Sequence, residues 1–154
     1  YDLTAIGLSM DDNMRAELCA ATVENTASAY PEFCGAVLHS DRGSQYTSAS
    51  YRAALNEYGV KQSMNSAGGR CHDNARCESI RGLVTRMKNE LFYSRGRRST
   101  DYTTEQLKTM IWCYYMSYWN NRRICSSIGG MPPAEKRRRY YSDKTGKPAA
   151  AAME

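Results

Sequence analysis

The sequence predicts an α/β protein, with helices packed on a sheet. Short apolar runs at residues 5–10, 35–39 and 60–64 alternate with segments of helical period. Glycine, proline or a capping residue marks nearly every boundary between them. A chain of 154 residues, 42% hydrophobic and 24% charged, is also long enough to bury a substantial core.

Taken in order, residues 5–10 (AIGLSM) form a short apolar run between polar residues and are expected to be a strand. Asp11 or Asp12 is then placed to cap a helix whose inward positions include Met14, Leu18 and Ala21, with Pro31 marking its end. Residues 35–39 (GAVLH) are apolar enough for a buried strand and lead into the polar turn 40–44 (SDRGS). The next helix carries Tyr51, Ala54, Leu55 and Tyr58 on one face, with a serine before it and Gly59 as its stop. Residues 60–64 read as a strand. Asp73 is placed to cap a long helix with the apolar stripe Ile80, Leu83, Val84, Met87 and Leu91.

Residues 93–102 (YSRGRRSTDY) form a basic loop. Thr103 and Gln106 have the spacing of a capping box, and the helix they open shows Leu107, Met110, Ile111, Tyr114, Tyr115 and Tyr118 on one face. This stripe reads as packing rather than a base-stacking platform. A glycine turn follows, and Pro133 suits the first position of a last short helix bearing Lys136, Arg137, Arg138 and Arg139. Residues 146–154 have a disordered composition. The expected division is a core at 1–92, a basic helical extension at 93–141 and a disordered tail at 142–154.

Composition excludes several classes. No run approaches the roughly 20 apolar residues of a membrane-spanning helix, and no leader opens the chain, so a cytoplasmic protein without a membrane partner is expected. The six cysteines lie within segments that read as helices and strands, which favours reduced thiols over bridges. Cys71, His72 and Cys77 cluster and keep a zinc-binding module open, although no Cys-x-x-Cys pair supports it. The net charge of +5 conceals a gradient: residues 1–41 hold one basic and seven acidic side chains, and residues 42–154 hold twenty and nine. The basic part is the expected seat of a polyanion.

Two acids stand out. Asp41 ends the second predicted strand, where open α/β sheets present working residues, and Glu78 falls near the start of the long helix. At 100° per residue Asn74, Glu78, Arg81, Thr85 and Lys88 share one face, roughly opposite Leu83 and Met87. That face meets either solvent or a site. His39, at a strand end, reads as structural.

The stretches VLHSDRGSQYTSASYRAALNEYGVKQSMN, GRCHDNARCES, RMKNELFY and YYMSYWNNRRICSSIGGMPPAEKRR, in that order, closely resemble the integrase core of insertion-sequence transposases with an Asp-Asp-Glu site. The resemblance runs from about Ala5 to about Arg139. It implies an RNase H-like fold: a mixed sheet flanked by helices, here lacking the first one or two strands, with a C-terminal helical extension. It also implies that Asp41 and Glu78 are the second and third catalytic acids and ligands of Mg²⁺, with Mn²⁺ as a substitute. No residue receives the role of the first acid, since Asp2 matches the turn between two strands of the family.

The implied partner is DNA, both element ends and target, handled by a homo-oligomer. Arg42, Gln45, Tyr46, Asn74, Arg81, Lys88, Arg122 and Arg123 are the candidate DNA contacts, with a role in the turn or helix cap an equal reading for Arg42, Gln45, Tyr46 and Asn74. Two segments depart from the family pattern. The loop GGRCHDNA is one residue longer than the family's form, and residues 80–85 (IRGLVT) add about three, a rotation of about 300° that puts Thr85 where the family has a lysine and Lys88 three positions late. The expected function is metal-dependent cleavage and strand transfer at insertion-sequence ends, by a chain that is incomplete and inactive alone. A non-catalytic remnant that binds DNA or a transposase is the alternative.

Overall fold

The computed structural model describes residues 2–65 and 75–145, with the side chains of 75–81 and 145 excepted. The chain divides into two compact units, Gly7–Asp101 and Tyr1–Ile6 with Tyr102–Glu154.

In the Gly7–Asp101 unit, helix α1 (Ala16–Ala29) precedes strand β1 (Val37–Ser40), helix α2 (Ala49–Glu57), strand β2 (Lys61–Met64) and helix α3 (Ala75–Leu91). The strands pair in parallel, from Val37 opposite Lys61 to Ser40 opposite Met64. Parallel neighbours need a crossover, and α2 supplies it.

Local chemistry explains each helix of this unit. The Ser48 hydroxyl accepts the Tyr51 N–H and so caps α2, whose buried face is Tyr51, Ala54 and Leu55. Gly59 then stops it in a left-handed conformation, with φ of +64°. In α1 the buried positions are Ala20, Val23, Thr26 and Ala27, at the three- and four-residue spacing of one face. Thr26 tolerates burial because its hydroxyl donates to the Thr22 carbonyl at 2.6 Å. The core gathers Ala20, Val23, Tyr51, Ala54, Leu55 and Val60, with Cys19, Phe33, Leu38, Tyr46 and Tyr58 packed against it.

Three expectations for this unit are corrected. Neither Asp11 nor Asp12 caps α1, which starts after Arg15; the Asp11 carboxylate instead accepts the N–H of Asp12, a local turn that leaves Met14 82% exposed. Leu18 and Ala21 lie half-buried at the margin of the inward face. Residues 5–10 form no strand, because no strand among the described residues pairs with them. Gly7 instead passes so close to α1 that a Cβ there would collide with the Thr26 hydroxyl. Finally, β1 is covered on one face only: Leu38 and Ser40 turn inward, whereas Val37 is 67% exposed. The described sheet is thus a parallel pair rather than a mixed sheet.

Helix α3 carries the expected apolar positions unevenly, with Met87 buried, Leu83 and Leu91 half-buried and Val84 exposed. The cap expected from Asp73 lies outside the described residues. Phe92 closes this stretch in a buried position, and the basic segment beyond it folds into short helical turns at Tyr93–Arg95 and Ser99–Asp101.

The second unit opens its helical part with the expected capping box. Thr103 Oγ1 accepts the Gln106 N–H at 3.3 Å, and the Gln106 side chain accepts the Thr103 N–H at 2.9 Å. Helix α4 (Thr104–Trp112) then widens into a π-helix over Cys113–Trp119. In a π-helix each turn holds roughly one residue more, so a stripe drawn at 3.6 residues drifts off the face. Tyr118, assigned to the stripe, is accordingly exposed, and Trp119 and Asn120 are buried in its place. Tyr114 keeps its inward position and packs edge-on against Tyr115.

These two buried residues hold the start of the chain. The Trp119 indole N–H donates to the Leu3 carbonyl at 2.9 Å, and the Asn120 carboxamide takes both the N–H and the carbonyl of Ala5, each at 2.9 Å. A turn with positive φ at Gly129 and Gly130 joins Cys125 to Met131, and helix α5 (Pro133–Thr145) begins at the buried Pro133. It ends four residues beyond 141, the bound expected for the helical extension.

Candidate active site

Asp41 is the residue after β1, and its position follows from the strand pair. The inward Leu38 and Ser40 fix the register of β1 against the core, and the ladder to β2 fixes the height at which the strand ends. Asp41 itself is half-buried. Its Oδ1 accepts the Gly43 N–H at 2.8 Å, a local turn that sets the carboxylate's direction. A Cβ at Gly43 would stand 3.0 Å from that same oxygen and 3.1 Å from Gln45 Oε1, so glycine leaves room for this geometry.

The rest of the turn is tied down on several sides. The Gly43 carbonyl accepts the N–H groups of Tyr46 and Thr47, the Gln62 side chain of β2 donates to the Tyr46 carbonyl at 2.7 Å, and Arg42 Nε donates to the Asn65 carbonyl at 2.7 Å. Gln45 Nε2 donates to the Met14 carbonyl, which links the turn to the entrance of α1. His39 bridges the strand ends, with Nδ1 2.9 Å from Ser63 Oγ and Nε2 3.0 Å from Asn65 Oδ1, as its structural reading requires.

Beneath the turn lies a cluster of phenols and a thiol. The Tyr46 ring meets that of Tyr51 edge-on at 5.4 Å. Burial pushes the Tyr51 hydroxyl up to about 12, with smaller contributions from Tyr46 and Cys19. Burial also raises the Cys19 thiol, against the opposing effect of its hydrogen bond with Tyr46. Tyr46 therefore directs its ring into the packing under Asp41, while the exposed Arg42 side chain stays at the surface beside it.

The other candidates are spread along the chain. Glu78 and Arg81 fall within α3, and nothing is described of their side chains; Asn74, Cys71 and His72 lie outside the described residues, as does the Cys77 side chain. Lys88 is exposed in the last turn of α3. Arg122 and Arg123 follow the π-helix: Arg122 is exposed, and Arg123 is half-buried with its guanidinium 5.5 Å from the Trp119 ring centre. Sequence reasoning missed Gln62 of β2 and Asn65 just after it, which secure the Asp41 turn. Period-two patterning shows which way they face but not which loop they reach.

The donor chemistry at Asp41 fits a hard divalent cation. It offers carboxylate oxygens on a rigid support, and it forms no ion pair among the described residues. No group of three or more His, Cys, Asp or Glu that could hold a metal ion converges among the described residues. No helix among them is long and apolar enough to cross a membrane.

Comparison with known proteins bears on the family. Residues 1–69 match the integrase core domain, a range that includes β1, β2 and Asp41. The transposase for insertion sequence element IS629 of Shigella sonnei is 39% identical over 108 residues, covering 70% of this chain and 33% of that protein. A 31 kDa uncharacterised protein of insertion element IS600, also from Shigella sonnei, is 30% identical over 141 residues, or 92% of this chain and 49% of its own length. An uncharacterised transposase-like protein of Haemophilus influenzae is 40% identical over 101 residues, 66% of this chain and 43% of that one. The chain thus spans a third to a half of the length of these relatives. With the Asp41 turn inside the matched core and similarity reaching well beyond it, the chain belongs to the integrase-core family of insertion-sequence transposases.

Proposed function

We propose that the chain serves metal-dependent DNA cleavage and strand transfer at insertion-sequence ends, with Asp41 and Glu78 as the two acids it contributes to the site. The observation that carries this reading is Asp41 itself: a half-buried carboxylate at a strand end, braced by backbone and side-chain hydrogen bonds, within the stretch matched to the integrase core.

A pair of Mg²⁺ ions would activate the attacking oxygen and stabilise the leaving oxygen of a phosphodiester. Asp41 would hold metal through its oxygens, and its bond from Gly43 keeps the carboxylate aimed before the metal arrives. Glu78, from the first turns of α3, would supply a second carboxylate. Arg42 would meet backbone phosphate beside Asp41, its Nε bond to Asn65 leaving the outer guanidinium nitrogens to face it. Gln45, Tyr46, Asn74, Arg81, Lys88, Arg122 and Arg123 remain proposed DNA contacts of lower rank. The first acid of the family's set is assigned to no residue of 1–154, so these two acids should bind metal weakly and cleave only with a third carboxylate supplied.

Two measurements test this. Mn²⁺ binding by the chain, followed by the spectrum of the free ion, should weaken in Asp41→Asn. Nicking of DNA carrying the element's ends, in the protein with the family's first acid in place, should fall by about three orders of magnitude in the same variant, the equivalent of several kcal/mol. Wild-type nicking by Asp41→Asn would end the catalytic reading. Salt-sensitive DNA binding with no cleavage by either protein would favour the non-catalytic alternative.

A further inference from the structure

The fold redistributes the charge gradient of the sequence. The Gly7–Asp101 unit holds twelve basic and eleven acidic residues and is close to neutral. The Tyr1–Ile6 and Tyr102–Glu154 unit holds nine and five, so nearly all the positive excess belongs to the helical unit. Within it, five cations and two anions fall on the thirteen residues of α5.

The two halves of α5 differ. Its start is anchored: Pro133 is fully buried, and Arg137 is one-fifth exposed, lies 3.6 Å from the Asp2 carboxylate and packs over the Tyr141 ring. From residue 138 onward the helix is open, with Arg138, Arg139, Tyr140, Tyr141 and Lys144 all exposed. Glu135 braces Arg138 at 2.7 Å and Arg139 at 2.8 Å, and the bond from Arg139 holds its carboxyl below the usual range. Two guanidiniums one residue apart are thereby held side by side at the surface. Phosphates recur along a DNA strand, and guanidiniums fit them with paired hydrogen bonds.

We propose that the exposed half of α5 is a DNA-backbone clamp, in which Arg138 and Arg139 meet neighbouring phosphates of a duplex independently of base sequence. Charge complementarity carries this choice of occupant. The inference rests on the reading of the chain as a DNA-acting protein, and places a second DNA surface away from the Asp41 turn in sequence.

The test is equilibrium binding of the chain to a fluorescent duplex of arbitrary sequence in EDTA, over a series of salt concentrations. Replacing Arg138 and Arg139 together by Gln should lower the log–log salt slope by about 1.8 and weaken binding roughly tenfold near physiological salt. The Lys pair at the same positions should keep the wild-type slope. An equal charge loss elsewhere, Arg52→Gln with Lys61→Gln, should leave binding nearly unchanged. Wild-type behaviour of the Arg138/Arg139 Gln pair overturns the proposal and leaves an acidic protein as the occupant of α5. Equal losses in the Arg52/Lys61 control overturn it too, as does absence of duplex binding by the wild type. Mn²⁺ binding should be unchanged in the Arg138/Arg139 Gln pair and weakened in Asp41→Asn, so failure of the clamp and failure of the catalytic reading give different results.

Discussion

Two short apolar segments, β1 and residues 3–5, satisfy their backbones by opposite means. The first pairs with β2, so its polar groups are met by another backbone, whatever side chains it carries. The second is met by two side chains, the Trp119 indole at Leu3 and the Asn120 carboxamide at Ala5. A ladder tolerates substitution, whereas a side-chain brace is only as secure as its residue. The acid proposed for chemistry is carried by the ladder.

The comparison can be broken at its weaker member first. Asn120→Leu strips both partners from Ala5 and should cost about 2–4 kcal/mol, since each buried backbone group left unpaired costs roughly 1–3 kcal/mol and some will be rehydrated. Urea unfolding measures it; a loss below about 0.5 kcal/mol would show that the brace adds nothing. Under β1 the effect turns on pH. The Tyr51 hydroxyl is raised when folded, so its contribution is whole below the unfolded value near 10 and is lost as pH climbs through about 12. Stability should therefore decline over that window in the wild type and decline less in Tyr51→Phe, as thermal melts in alkaline buffers would reveal. Identical pH profiles would remove Tyr51 as the source.

The smallest stability change is expected on the ladder itself. His39→Ala removes two side-chain bonds at an exposed edge and should cost under about 1 kcal/mol, because the paired backbones remain. A loss comparable to that of Asn120→Leu would erase the distinction between the two segments. At the turn, Gly43→Val tests position separately from stability: the added carbons press on Asp41 Oδ1, and nicking should fall roughly 10–100-fold, the range for disturbed support of a metal ligand. Unchanged nicking would mean the turn does not set the carboxylate's direction.

Much of this was legible before any coordinates. The α2 cap and stripe, the Thr103–Gln106 box and the Pro133 start all depend on neighbours within a turn or two, and sequence displays such neighbours directly. Asp41 at a strand end followed from the apolar run before it, and family resemblance raised it from a turn residue to a candidate ligand. What escaped depends on distant partners. Residues 5–10 have the composition of a strand but no described strand beside them, and Met14 has an apolar side chain with nothing to cover it. Arg42, Gln45 and Tyr46 read equally as DNA contacts or as turn residues, and sequence does not display the distant partners through which each secures the turn.

The π-helix makes one stretch of the molecule sensitive to length rather than composition. An ordinary α-helix with the same number of residues here would rotate everything beyond it by about 100°. Trp119 and Asn120 would then face away from Leu3 and Ala5 with every side chain still present. In related proteins a one-residue gap here should therefore coincide with an ordinary α-helix, which keeps the Trp-Asn pair facing the segment that matches residues 3–5.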